Sequence, residues 1–142
     1  MKKFKHFSAA IICMFLVCAI SPAYGRAIDV KFLPAPAKTF LRQNFPNQKI
    51  VFVDRQFKEY EVFLANGTKV EFDTTGRWNK VNCKKKAVPA HLVPQFISKY
   101  VKANHANLAI TKINKERNGY EVELSNDLEL HFSKTGELLY MD

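Results

Sequence analysis

The residues able to do chemistry are few, and their spacing is poor for it. Beyond the first 25 positions the histidines are His91, His105 and His131, and the only cysteine is Cys83. Zinc sites draw their ligands from close pairs such as C-x2-4-C or H-x3-5-H. No such pair occurs, so neither a metal site nor a cofactor is expected. Ser133-Lys134-Thr135-Gly136 contains the K-T-G triplet of penicillin-recognising serine enzymes. Those enzymes also need S-x-x-K, and no serine here has a lysine three places on. Cys83 has no histidine near it in sequence, and the five glycines leave no phosphate-binding loop. No catalytic site is expected.

Carboxylates are the remaining candidates. Glu59, Glu61, Glu71 and Asp73, with Glu121, Glu123 and Glu129, alternate with apolar residues. Strand periodicity sets all seven on one outer face, because successive side chains point to opposite sides of a sheet. Such a face is either simply solvated, or a polar recognition surface, or a weak calcium site. No D-x-[DN]-x-[DN]-G loop supports calcium.

The elements that must position these residues begin after an N-terminal targeting segment. Lys2, Lys3 and Lys5 precede an uncharged apolar run, Ala9 to Ile20, and small residues follow at Ala23 and Gly25. This is the layout of a secretory signal peptide, residues 1–25, with cleavage expected after Gly25 and a periplasmic or secreted product. Lipid attachment at Cys18 is the alternative, but Val17 stands where a small residue is normally needed. The remaining 142 − 25 = 117 residues suit a single domain, 26–142, without a transmembrane segment. Losing three lysines lowers the net charge from +9 to +6. That charge aids solubility without specifying nucleic acid, and none is expected as a partner.

The chain repeats at an offset of 60, with units at about 33–81 and 89–142. Tyr60-Glu61-Val62 falls on Tyr120-Glu121-Val122, and Leu64 on Leu124. Asn66 falls on Asn126, Phe72 on Phe132, and Thr75-Gly76 on Thr135-Gly136. Each unit opens with a helix. Leu92, Phe96 and Tyr100 recur every four residues, flanked by Val93, Ile97 and Val101; Ala37, Phe40 and Leu41 do the same in the first unit. A short turn is expected at 89–93, and Pro46 closes the first helix. Four antiparallel strands follow each helix, patterned with period two. Thr74-Thr75-Gly76 and Lys134-Thr135-Gly136 read as three-residue hairpin loops with glycine left-handed, setting Phe72 opposite Trp78 and Phe132 opposite Leu138. Asn66 to Thr68 is expected as a loop placing Leu64 opposite Val70. Residues 82–88 read as a solvated connector.

The two copies differ on the outer face. Opposed positions summing to 115 pair Val53 with Val62 inward and Phe52 with Phe63 outward. The same register in the second copy pairs Lys112 with Glu123. Two outward phenylalanines form either a recognition patch or a surface covered by residues 26–33. The expected binding surface is therefore centred on Phe52 and Phe63. Its rim is Glu61, Glu71, Arg77, Glu121, Glu123 and His131.

Tyr120-Glu121-Val122-Glu123-Leu124-Ser125-Asn126, Leu128-Glu129-Leu130-His131-Phe132 and Gly136 carry a resemblance, as do Tyr60-Glu61-Val62, Asn66-Gly67-Thr68 and Phe72 to Trp78. The chain resembles the PepSY-like exported proteins of Bacteroides-type bacteria, which share the tandem-repeat architecture of the β-lactamase inhibitor protein. The resemblance implies an α+β fold in which the two units form one eight-stranded sheet with helices on one face. It also implies a non-enzymatic module that binds or inhibits another exported protein or propeptide. The rival expectation is a periplasmic protein responsive to calcium or a small ligand through the acidic face. A monomer or an edge-paired dimer fits an open sheet.

Overall fold

The computed structural model describes residues 26–142. The signal peptide expected at residues 1–25, the cleavage expected after Gly25 and the alternative of lipid attachment at Cys18 fall outside the described residues. The order of elements is β1 (Arg26–Ala27), α1 (Ala35–Asn44), β2 (Ile50–Arg55), β3 (Glu59–Leu64), β4 (Lys69–Asp73), β5 (Trp78–Asn82), α2 (Gln95–Asn104), β6 (Ile110–Glu116), β7 (Gly119–Leu124), β8 (Glu129–Ser133) and β9 (Leu138–Met141). A single 3-10 turn precedes each helix, at Val30–Phe32 and Ala90–Leu92. All nine strands form one antiparallel sheet in sequential order. The class is α+β as expected, but the sheet has nine strands instead of eight. The extra one is β1, whose two residues pair with Asp54 and Arg55 at the edge of β2. Two residues without alternation leave no periodic signal in the sequence.

Both helices start at a proline N-cap, Pro34 and Pro94, whose fixed φ suits a helix entry. Each buries one stripe: Ala37 and Leu41 from α1, Ile97 and Val101 from α2. Phe40 meets Phe72 edge-on with ring centroids 5.5 Å apart, and Tyr100 meets Phe132 at 5.4 Å. Beneath them one apolar row crosses eight strands: Val53, Val62, Val70, Val81, Ile113, Val122, Leu130 and Met141. All but Met141 are buried. Fully burying a valine or leucine contributes about 1.5–3 kcal/mol each, so this row is the backbone of the core.

The 74–76 and 134–136 loops close as expected, with Gly76 at φ +88° and Gly136 at φ +96°. Gly76 also lies against α1: a Cβ there would stand 2.8 Å from Pro34 Cβ and 3.0 Å from the Ala37 nitrogen. The 66–68 loop is corrected. Leu64 pairs with Thr68, Val62 with Val70, and the loop is 65–67 with Gly67 at φ +86°. Thr68 is buried and belongs to the strand side of the turn. The connector is correct for Lys84, Lys85 and Lys86, which are exposed, but not for Cys83. Its N–H donates to the Thr111 carbonyl and its thiol is buried in the core.

Candidate functional site

The outer face is built from two cross-strand rows. One runs Phe52, Phe63, Lys69, Asn82, Lys112, Glu123 and Glu129, then reaches Asp142 through paired backbone hydrogen bonds between Glu129 and Asp142. The other runs Asp54, Glu61, Glu71, Lys80, Asn114, Glu121, His131 and Tyr140. Seven of the eight expected binding residues fall on these rows. Arg77 does not. It sits in the β4–β5 turn, where its backbone N–H and its Nε each donate to Asp73 at 3.0 Å.

The Phe52 and Phe63 rings lie 5.8 Å apart, and Phe52 is 42 % exposed. Residues 26–28 do not lie over them. They run along the β2 edge instead, with the Ile28 N–H donating to the Val53 carbonyl. Val51 occupies a bulge beside Phe52 and is 68 % exposed. Its counterpart Thr111 is buried, because β6 is flanked there by the chain at Cys83. Lys69 borders the aromatic pair, with its ammonium 3.0 Å from Glu61 and 2.8 Å from Glu71. Burial pulls the Lys69 pKa down, but hydrogen bonds to Glu71 and Glu61 outweigh it and hold the group more basic than usual.

In the second repeat Lys112 takes the place of Phe52 and collects three carboxylates. Its Nζ is 2.9 Å from Glu121, 2.8 Å from Glu123 and 2.7 Å from Glu129. The side chain is only 10 % exposed. Burial opposes its charge, yet the hydrogen bonds to Glu123, Glu129 and Glu121 prevail and raise its pKa. Glu121 is correspondingly shifted down: its burial acts upward, and the Lys112 hydrogen bond overcomes it. Next along, the His131 ring stacks on Tyr140 with centroids 4.0 Å apart and 15° between planes.

Sequence spacing did not group Lys112 with Glu129, or His131 with Glu116 and Asp142. The ligand-capable atoms of Glu116, Glu121 and His131 lie within 4.8 Å of one another, as do those of Glu129, His131 and Asp142. The signal that finds them is strand register extended across four strands, which also needs the placement of β9. Glu59, Glu61 and Glu71 form a carboxylate cluster in the first repeat, in which Glu61 and Glu71 match Glu121 and His131, while Gln56 stands where Glu116 does.

The other candidates are spent on structure. His91 Nε2 is 2.6 Å from Asn44 Oδ1, tying the turn before α2 to the end of α1. His105 is the C-cap of α2. Burial pushes the Cys83 thiol up, against the hydrogen bond it makes with Thr68, which is opposite to what a thiolate nucleophile needs. Among the described residues no helix is long and apolar enough to cross a membrane.

The family model described as beta-lactamase-inhibitor-like, PepSY-like matches residues 23–67 and 58–140. Among solved structures, the chain is similar to a protein of Bacteroides thetaiotaomicron described as "a putative calcium-regulated periplasmic protein". Identity is 38 %, the TM-score is 0.77, and the match covers 82 % of this chain and 95 % of the other. A periplasmic protein of unknown function from Bacteroides vulgatus is 36 % identical with a TM-score of 0.75, over 80 % and 94 % of the two chains. A second Bacteroides vulgatus periplasmic protein is 37 % identical, also at 0.75, over 82 % and 95 %. No curated protein matches the chain.

Proposed function

Because the chain belongs to the beta-lactamase-inhibitor-like, PepSY-like family, we propose that it is a periplasmic binding module that recognises another exported protein or propeptide through its outer sheet face. The observation that carries this reading is the Phe52–Phe63 pair at the β2 end of the outer face, with Phe52 and neighbouring Val51 exposed, Phe63 half-buried, and ion pairs centred on Lys69 and Lys112 further along. Aromatic anchors ringed by polar groups are what protein recognition uses. Glu61 and Glu71, with Lys69 between them, form the near rim; Glu121, Glu123 and His131 continue the face. Arg77, held to Asp73, stands apart from it. Nothing in this reading calls for catalysis.

Phe52→Ala combined with Phe63→Ala should abolish capture of the partner from periplasmic extract while leaving the melting temperature nearly unchanged. Unaltered capture removes this surface from consideration.

A second reading has one observation in its favour. The Bacteroides thetaiotaomicron protein is described as calcium-regulated, and this chain places carboxylates on the same kind of sheet. Calcium binding by calorimetry that is lost in Glu121→Gln with Glu123→Gln would support it; no calcium heat in the unaltered protein dismisses it.

A further inference from the structure

We infer that the second repeat carries a binding site for a borderline divalent transition-metal ion of the zinc class, made by His131, Glu121 and Glu116. The site goes beyond the protein-binding reading and does not depend on it.

His131 is the starting point. It is 7 % exposed, lies on the outer face, and neither ring nitrogen has a hydrogen-bond partner among the described residues. An unpartnered buried polar group costs about 1–3 kcal/mol, so such a residue calls for a use. The ring is held in place by Tyr140 stacked on one side. Its Nε2 faces Asp142 Oδ2 at 3.7 Å, too far for a hydrogen bond but close enough to orient the ring. Metal-bound histidines commonly have a carboxylate in that orienting position.

The partners of His131 are supplied from two neighbouring strands. Glu121 is directly opposite it in the β7–β8 register, and Glu116 ends β6. Their ligand atoms and that of His131 lie within 4.8 Å of one another. A tetrahedral ion with bonds near 2.0–2.1 Å requires ligand atoms about 3.3 Å apart. Any excess over that spacing is at most about 1.5 Å, within reach of rotation of the exposed Glu116 side chain. Three protein ligands leave one position for water.

Charge also allows a dication. Glu116, Glu121, Glu123, Glu129 and Asp142 give five negative charges; Lys112 and Lys80 face them with two positive ones. Lys112 engages Oε1 of Glu121 and leaves the other oxygen for the ion. Calcium takes six to eight oxygens and has no preference for imidazole. One nitrogen with two carboxylates instead suits zinc and its neighbours. The first repeat has no such site by this logic, because Glu71 stands where His131 does.

The test is calorimetric titration of chelator-stripped protein with Zn2+ alone and, separately, with Ca2+. One-to-one Zn2+ binding is expected, with a rise in melting temperature because the ion binds only the folded form. His131→Ala should abolish it. Glu116→Gln, at an exposed position that cannot disturb the core, should weaken it at least about tenfold. His91→Ala should leave it unchanged. Absence of saturable Zn2+ binding overturns the proposal, as does binding that survives His131→Ala or disappears in His91→Ala. Ca2+ binding as tight as that of Zn2+ and lost in His131→Ala also overturns the assignment to a zinc-class ion.

Discussion

The two repeats answer the same geometric problem with different side chains. Opposite Phe63, with Lys69 next along the row, the first repeat has Phe52; at the equivalent places the second has Lys112, Glu123 and Glu129. The cation has moved from the third strand of one unit to the first strand of the other. In moving it gained a third carboxylate and lost most of its contact with water. The inner faces show no such divergence: Phe72 and Phe132 are both fully buried under an aromatic from the helix above. Packing holds the inner positions alike, and the outer ones are free to specialise.

Three experiments would break or sharpen that contrast. The largest effect is expected at Lys112. Lys112→Met leaves three half-buried carboxylates facing one another and should cost about 2–4 kcal/mol in urea unfolding. Lys69→Met, with two carboxylates and a more exposed ammonium, should cost about 1 kcal/mol or less. Equal losses would mean that the two faces are energetically the same. Next, the second repeat's row can be written onto the first. Phe52→Lys with Phe63→Glu and Lys69→Glu should change stability by no more than about 1 kcal/mol, since the new charges stay near the surface. The same triple variant should lose partner capture. Retained capture would show that the aromatic pair is not what distinguishes the repeats.

The smallest effect concerns acid. Asp73 accepts hydrogen bonds from the Thr75 N–H and hydroxyl and from Arg77. Partial burial acts to raise its pKa, but those bonds from Thr75 and Arg77 outweigh it and hold the carboxyl at about 2. Its pKa is thus depressed by folding. The stabilisation is present above the unfolded value of about 3.9 and is lost as pH falls toward 2. Ser133 occupies the equivalent place in the second repeat and accepts from the Glu137 N–H with a hydroxyl that does not titrate in this range. Asp73→Asn should therefore flatten the loss of stability between pH 4 and pH 2, measured by thermal melts. An unchanged slope would show that the first hairpin is no more acid-sensitive than the second.

Much of this was legible in the sequence because strands report their own register. Period-two alternation and a short turn near Phe57-Lys58, carried over to the second copy by the 60-residue offset, were enough to oppose Phe52 to Phe63 and Lys112 to Glu123. Three things escaped for physical reasons. Arg26–Ala27 is too short to show a period, so β1 was missed. Thr68 is polar yet buried, so it read as loop and shifted the Leu64 pairing. Lys112 was placed correctly on the outer face, but alternation says only which side a residue faces. It does not say that three carboxylates will close around it, or that Glu116 and Asp142 will converge on His131.

The junction between the repeats has a consequence of its own. β5 and β6 pair through Lys80–Asn114, Val81–Ile113 and Asn82–Lys112, by the same ladder that joins strands within each repeat. Nothing in the hydrogen bonding marks where one unit stops. The architecture is therefore a tiling with no natural terminus, in which a further copy could be laid against β9 without a new kind of contact. The two borders of the sheet differ accordingly: a short strip with one charge at Arg26–Ala27, and at the far end Leu139, Tyr140 and Met141, left facing water on the kind of edge that a further strand would cover.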